Sequence, residues 1–380
     1  MGSLPLRPAA ALLSRSALAH NLSVIKRQIR ERPILHSPKA EIMAMVKADA
    51  YGHDLNRVLP ELQKKGIKHF AVASLEEGLQ ARSLSSSAKI LVLGGTLQFS
   101  TQTLSLIKKN RFQMAVSDLK ALKFFSTHSE IPIHLKLDTG MNRLGLRSED
   151  WSAAIELLKK SNRKLEGLFT HYATSQDPAF YSQAQLFEEA TRWFLVEGFR
   201  PKYIHSENSA ALLSKNSIRK GILSEVANLV RPGISLYGYY PRNVAGNKLM
   251  PILELVSEVG LVKPIEVGEG ISYGHLYRAK QNQRYGIVTL GYADGLSKTY
   301  ASYLRPEWRS STGKNKGLLN ICGAICMDMV MVRAMSGELK AQDRVVFWGR
   351  FPNEVLKQKL VEPYELNLRI SKRIPRIWVP

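Results

Sequence analysis

Eight short apolar runs between residues 40 and 240, each followed by a stretch with helical spacing, constrain this chain more than any other feature. They fall at 41–46, 69–74, 89–94, 112–116, 132–137, 165–170, 202–205 and 230–236. Strands that are apolar on both faces and separated by amphipathic segments, such as Leu55-Asn56-Arg57-Val58-Leu59-Pro60-Glu61-Leu62, point to parallel strands joined by crossover helices. Eight such units predict an α/β fold, a TIM-type (β/α)8 barrel. The segment from Ser16 to Ile25 is predicted as the helix leading into the first of these strands. After about residue 240 the pattern changes to closely spaced β-type runs at 252–262, 285–291, 318–326, 328–333 and 343–348, divided by Gly, Pro and polar turns. This predicts a C-terminal, mainly β domain. The expected division is 1–241 for the barrel and 242–380 for the β domain, connected through 241–247, with the first few residues able to join the β domain.

Charge is the one unusual bulk property. The chain has 54 Lys and Arg against 32 Asp and Glu, a net charge of +22. A basic balance can serve nucleic acid or anionic membranes. Here the charges are spread over the whole chain, without a basic arm, an aromatic-interleaved RNA-binding motif or zinc-finger spacing. A solvated surface that attracts anionic small molecules is the expected use, with no nucleic-acid or membrane partner. The two cysteines, Cys322 and Cys326, have no histidine or third cysteine near them and form no metal-ligand set, so no metal is expected. They read as reduced and buried. The run Ala9-Ala10-Ala11-Leu12-Leu13 is too short for a secretory segment and is soon interrupted by Arg15, and no run reaches membrane-spanning length. A cytoplasmic protein is expected.

In a barrel of this class the active groups come from the C-terminal ends of the strands and the loops after them. Lys47 ends the first strand within Val46-Lys47-Ala48-Asp49-Ala50-Tyr51-Gly52-His53. An amine at the edge of an apolar core has its pKa pushed down and can form a Schiff base or act as a base near neutrality. The plainer reading is a lysine snorkelling out of a strand end. Strand alternation puts Met43, Met45 and Lys47 on one face, so if the methionines fill the barrel, Lys47 points into its mouth. Lys136 lies in His134-Leu135-Lys136-Leu137-Asp138-Thr139-Gly140-Met141-Asn142-Arg143-Leu144-Gly145, and a charge there needs a partner; Asp138 is the simplest. His171 emerges at a strand end in Gly167-Leu168-Phe169-Thr170-His171-Tyr172-Ala173, where a hydrogen-bonded core histidine is the common alternative. The segments His205-Ser206-Glu207-Asn208-Ser209 and Arg231-Pro232-Gly233-Ile234-Ser235-Leu236-Tyr237-Gly238 follow or form the last two strands, where barrels often bind phosphate. Ser209 and the backbone of Gly233 and Ile234 are the expected anion ligands, with Tyr51 adding a hydroxyl.

Taken in order, these motifs resemble those of the alanine racemases. The β-type region carries three more: Gly270-Ile271-Ser272-Tyr273-Gly274, Gly291-Tyr292-Ala293-Asp294-Gly295 and Ile325-Cys326-Met327-Asp328. The resemblance runs from Ser16-Ala17-Leu18-Ala19-His20-Asn21 to Arg373-Ile374-Pro375-Arg376. It implies pyridoxal 5'-phosphate as cofactor, with Lys47 as its attachment point and Tyr51, Arg143, His171, Asn208, Ser209, Arg231, Gly233 and Ile234 around it. It implies Lys47 and Tyr273 as the two catalytic bases, because racemisation needs a proton donor and acceptor on opposite faces of a planar intermediate. Lys47 would handle the proton of the D-enantiomer and Tyr273 that of the L-enantiomer. Arg143 and Met327 are implied for substrate binding, and Lys136, His205, Tyr292 and Asp328 in support, with Lys136 carbamylated. Arg231 would donate to an unprotonated ring nitrogen, since an arginine cannot accept that proton. His205 would support it, and Arg143 and His171 would favour the phenolate of a tyrosine whose ordinary pKa is about 10. In the family the tyrosine reaches the other subunit's cofactor, so a homodimer with shared sites is implied. The implied reaction interconverts L- and D-alanine and supplies D-alanine for peptidoglycan.

Four positions depart from the family pattern. Asn142 stands where a glycine is expected, Ala324 replaces an arginine, Gln176 an acidic residue, and Lys372 a tyrosine. By resemblance the last three line the substrate corridor, so a broad-specificity amino-acid racemase is the alternative. A decarboxylase of the same architecture needs a stronger electron sink than an arginine on the ring nitrogen permits. A non-catalytic cofactor carrier has no use for Tyr273, and a nucleic-acid-binding protein would show salt-dependent binding to an unrelated duplex.

Overall fold

The structure is a computed structural model and describes residues 7–31, 40–94, 100–175, 178–214, 221–240, 249–349 and 361–380. The expected connection 241–247 lies outside the described residues. Contacts divide the chain into two compact units, 19–249 and 1–18 with 250–380.

The larger unit is built on eight parallel strands: β2 (Glu41–Met45), β3 (His69–Val72), β4 (Lys89–Val92), β5 (Gln113–Val116), β6 (Ile133–Lys136), β7 (Gly167–Phe169), β8 (Tyr203–His205) and β9 (Leu229–Val230). From β2 to β8 each pairs with the next in chain order, and β9 pairs with β2. Asn228 N donates to Ile204 O, Arg231 N donates to Glu207 O at 2.8 Å, and Asn208 bridges Arg231, which closes the ring. Each of the eight predicted runs contains or abuts one strand. The eighth ends early: the strand stops at Val230, and Ile234–Tyr237 form a 3-10 turn instead of continuing it. Pro232 explains this, since it has no N–H for a ladder.

Inside the ring, Met43, Met45, Ala71, Leu91, Ala115, Phe169, Tyr203 and Leu229 pack as one buried cluster. They alternate along their strands, as inward residues of a barrel must. Met43 and Met45 therefore do fill the barrel. The predicted lead-in helix spans Arg15–Arg30, and Leu55–Lys64 forms the first crossover helix after β2, capped by Asp54, whose carboxylate accepts from Asn56 N.

The smaller unit is a sheet of eight strands in the order β13-β16-β15-β14-β17-β10-β1-β18. They are β1 (Ala10–Ser14), β10 (Leu253–Ile265), β13 (Gln283–Val288), β14 (Glu307–Arg309), β15 (Lys316–Ile321), β16 (Val330–Ala334), β17 (Arg344–Trp348) and β18 (Arg376–Val379), with the pair β11 (Gly270–Ile271) and β12 (Tyr277–Arg278) apart. β10 also pairs with β13, so the six strands from β13 to β10 close on themselves, and β1 and β18 extend the sheet beyond β10. The N-terminal strand β1 belongs here: it lies antiparallel to β10 and parallel to β18. Leu253, Leu255, Val259, Val288, Leu319, Val330, Val345 and Phe347 are among the side chains forming its buried core.

Candidate active site

Lys47 begins a backbone segment that L-residues seldom adopt. Ala48, Asp49, Ala50 and Tyr51 have φ between 51° and 57° with ψ between 38° and 55°, a full left-handed turn. Each such residue costs about 1–2 kcal/mol, and runs of this kind persist only where their surroundings hold them. Here Ala48 N donates to Glu77 Oε1 at 2.6 Å, Ala50 N to Val46 O, and Leu55 N to Asp49 Oδ1 at 2.7 Å. The turn sends the chain away from the strand end while leaving the Lys47 side chain there. Burial, and then the nearby Arg143 guanidinium, lower the Lys47 pKa, only partly offset by Glu77. This increases the free-amine fraction that Schiff-base and base chemistry require.

Lys136 is buried on β6, and burial followed by the charges of Arg143 and Arg231 pushes its pKa down to about 8. The Asp138 carboxylate, predicted as its partner, acts on it only as an opposing charge. It accepts hydrogen bonds from the backbone N–H groups of Gly140 and Asn142, both at 3.0 Å. Asp138 thus shapes the loop that carries Arg143. Asn142 has φ 54°, a region open to glycine and asparagine but costly for most side chains, so the departure from glycine fits the backbone. Burial and the cations Arg231, Arg143, Lys136 and Lys47 lower the pKa of His171 to about 3, and it is neutral at physiological pH.

Arg231 is buried just after β9. Burial lowers its pKa to about 10, so it stays a cation. Its Nη1 donates to His205 Nδ1 at 2.6 Å, and its Nη2 donates to Thr170 O at 2.6 Å and Ser206 O at 3.1 Å. Three of five donors are taken, leaving two for a ligand acceptor. The chain continues inward, where His205 Nε2 and His134 Nδ1 are 2.9 Å apart. His134 Nε2 is buried without a hydrogen-bond partner among the described residues, a condition that costs about 1–3 kcal/mol. His134 was not singled out from the sequence. Its position two residues before Lys136, on the same strand face, was the available signal.

The loops after β8 and β9 meet at Ser209. Its Oγ accepts from Gly233 N at 2.8 Å and Ser235 N at 3.3 Å and shares a hydrogen bond with Ser235 Oγ. Asn208 caps the short helix Ser209–Leu213, its side chain accepting from Ala211 N, while its Nδ2 donates to Tyr172 O and lies 3.4 Å from His171 Nε2. A Cβ on Gly233 would sit 2.6 Å from Tyr51 Oη. Ser209, Gly233 and Tyr51 therefore converge as predicted, with Ile234 beginning the adjoining 3-10 turn. Converging hydroxyls and amides, with a bare glycine between them and lysine and arginine cations nearby, fit a phosphate and the ring it carries.

In the smaller unit Tyr273 is 76% exposed and Met327 53% exposed. Ser272, with φ 64°, donates from Oγ to Ala324 O at 2.9 Å and lies 3.3 Å from Cys326 Sγ. The two predicted segments around Tyr292 and Met327 are joined, because Tyr292 N donates to Cys326 O and Ala293 N to Met327 O, both at 3.0 Å. Buried Asp294 accepts from both Arg7 Nη groups and from Gly291 N at 2.9 Å and forms an ion pair with Arg373 Nε at 3.1 Å, and Arg373 Nη2 donates to Asp328 Oδ1 at 2.7 Å. Arg7, Arg373 and Asp294 were not among the predicted site residues. Cys322 is buried and Cys326 partly exposed, both as free thiols. Burial raises the Cys322 pKa to about 11. Gln176 lies outside the described residues.

Fold and site together define a class: a two-unit chain whose barrel carries a lysine of lowered pKa at its first strand end and converging hydroxyls and amides after its last two strands. Comparison with known proteins gives the family. The model of the alanine racemase N-terminal domain matches residues 13–241, and that of the alanine racemase C-terminal domain matches 252–378. The alanine racemase of Staphylococcus saprophyticus is 32% identical over 361 residues, covering 90% of this chain and 89% of its own. The Clostridium difficile 630 alanine racemase structure superposes with a TM-score of 0.83 at 29% identity, covering 98% of this chain and 96% of its own. The Bartonella henselae alanine racemase, solved with covalently bound pyridoxal phosphate, shares the fold at 22% identity and a TM-score of 0.81, covering 98% and 99%. The chain belongs to the alanine racemase family, and with it to the isomerases. Among the described residues no helix is long and apolar enough to cross a membrane.

Proposed function

We propose that this protein interconverts L- and D-alanine with pyridoxal 5'-phosphate by a two-base mechanism. The observation that carries the reading is Lys47, an amine of lowered pKa directly after β2, the strand that pairs with β9, after which Gly233 meets Ser209 and Tyr51. Ser209, Tyr51 and the Gly233–Ile234 backbone would hold the phosphate, Lys47 would hold the carbonyl carbon, and two Arg231 N–H groups would meet the ring nitrogen. The bound cofactor makes the substrate's Cα proton acidic by withdrawing electrons. Lys47 Nζ takes or returns that proton on one face, and Tyr273 Oη, from a second subunit, does so on the other. The exposure of Tyr273 and Met327 supports their presentation to a partner, hence a homodimer. Arg143 and Met327 orient the substrate carboxylate, while Asn208, His171, His205, Tyr292 and Asp328 hold these groups in place. Lys136, with its pKa near 8, has enough free amine to take up carbon dioxide as a carbamate. The compartment by this reading is the cytoplasm, in keeping with free thiols, and the product D-alanine would serve peptidoglycan synthesis.

A broader amino-acid range is the second reading, favoured by Ala324, which has only a methyl where the family pattern has an arginine, and by exposed Lys372. One experiment tests both: purified protein with added cofactor receives each L-amino acid in turn, and the D-enantiomer is assayed. D-alanine is the expected product, and no D-product from any amino acid refutes the racemase assignment. Lys47→Ala is expected to lose the visible cofactor absorbance. Tyr273→Phe is expected to keep that colour and lose most activity with L-alanine. A Tyr273→Phe enzyme that racemises normally would overturn the two-base assignment.

A further inference from the structure

An arginine only donates hydrogen bonds, so the 2.6 Å contact between Arg231 Nη1 and His205 Nδ1 makes that nitrogen an acceptor. In a neutral imidazole with an unprotonated Nδ1, the proton is on Nε2. His205 Nε2 lies 2.9 Å from His134 Nδ1, so His205 is the donor and His134 the acceptor. The proton of His134 is then on Nε2, which has no hydrogen-bond partner among the described residues. The direction of the chain is set at Arg231, and its inner end is left unsatisfied.

Several features keep the two rings in this arrangement. His205 stacks on Phe169 at 4.7 Å with 5° between the planes, and the Arg231 guanidinium lies 5.3 Å from the same ring. Opposite His134, Gly167 leaves the space its ring occupies, for a Cβ there would fall 2.0 Å from Nδ1. Both histidines are fully buried, and an apolar side chain at 134 would avoid the unsatisfied N–H. A histidine at this point is explained by what its Nδ1 does for His205.

We propose that His134 is a positioning residue for Arg231: by accepting the Nε2 proton of His205, it locks His205 in the tautomer whose Nδ1 receives the guanidinium. Without that acceptor the His205 proton can move to Nδ1, where it faces the Arg231 donor and pushes it out of register. The proposal rests on the reading that Arg231 meets the cofactor's ring nitrogen.

The relay is tested first without cofactor, by 15N NMR of histidine-labelled apo-protein. His205 is expected to show a protonated Nε2 and an unprotonated Nδ1; a protonated Nδ1 in the unaltered protein overturns the proposal. His134→Leu is expected to lose this single-tautomer signature. His134→Asn, whose Oδ1 stands near the place of Nδ1, is expected to restore it. If His134→Leu does not fold, His134→Ala serves the same comparison, and a His205 signature unchanged in either refutes the relay. With cofactor, the Leu or Ala variant is expected to bind pyridoxal phosphate about tenfold more weakly and to shift its visible absorbance, as loss of a charge-assisted hydrogen bond would. Asn is expected to stay close to the unaltered protein. Arg231→Gln is the control. If Arg231→Gln changes binding and colour but the position-134 variants do not, the positioning role of His134 is refuted. If Arg231→Gln is itself silent, the ring-nitrogen reading falls, and the apo-protein spectra alone decide whether His134 fixes His205.

Discussion

Gly233 has no side chain because Tyr51 stands where one would be. The Tyr51 ring is held by its own left-handed turn and lies 5.0 Å from Tyr237, whose hydroxyl donates to Met45 O, so it cannot easily yield to a methyl group. Gly233→Ala is therefore expected to displace the Tyr51 hydroxyl and weaken cofactor binding about tenfold, the effect of losing one charge-assisted hydrogen bond to a phosphate. Titration of apo-protein with pyridoxal phosphate checks this, and an unchanged affinity would remove Tyr51 from the cradle. The predicted site residues of the barrel unit lie at strand ends or in the loops that follow them, places that a count of strands fixes. His134 stayed hidden for a different reason. Its role comes from a tautomer chain through His205, which needs atomic distances and leaves no trace in residue type.

At the scale of elements, the loops of the smaller unit are tied by charge more than by packing. Asp294 is buried and collects two arginines from opposite ends of the chain, Arg7 and Arg373, and Arg373 passes the connection to Asp328. The Gly291–Asp294 and Cys326–Asp328 segments meet through backbone hydrogen bonds on this frame. Asp294→Asn removes the only buried anion of the group and leaves two guanidinium ions against an amide. It is expected to destabilise the protein by about 3 kcal/mol, the lower end for breaking a buried pair because both arginines are partly exposed. It should also raise the KM for alanine more than it lowers kcat, since Met327 would lose its support. Thermal unfolding and steady-state kinetics check the two parts, and a loss below about 1 kcal/mol would class the cluster with ordinary surface pairs. The sequence made the strands of this unit legible as β-type runs. The clamp was not legible, because Arg7 and Arg373 are separated by most of the chain, and their ends of the sheet meet through the pairing of β1 with β18.

Across the whole molecule, the excess of cations is matched by a barrel interior that keeps its histidines neutral. Burial, then the charges of His69 and Arg231, lowers the His134 pKa to about 3, and burial, then Arg231, holds His205 well below the ordinary imidazole value. In the unfolded chain both titrate near 6.5. Below that pH the unfolded state binds protons that the folded state refuses, so stability is fully present above about pH 6.5 and is lost as pH falls toward the folded-state values. Each such group contributes a slope of about 1.4 kcal/mol per pH unit in that window. The apo-protein is expected to lose thermal stability steeply between pH 6 and 4, over and above its carboxylates. His134→Asn should lessen the slope by one group's share while keeping the acceptor that His205 needs. Unfolding midpoints measured across that range for both proteins decide the matter. Parallel curves would mean that His134 takes up a proton in the folded barrel as readily as in the unfolded chain, and its Nδ1 would then not be the acceptor that His205 needs.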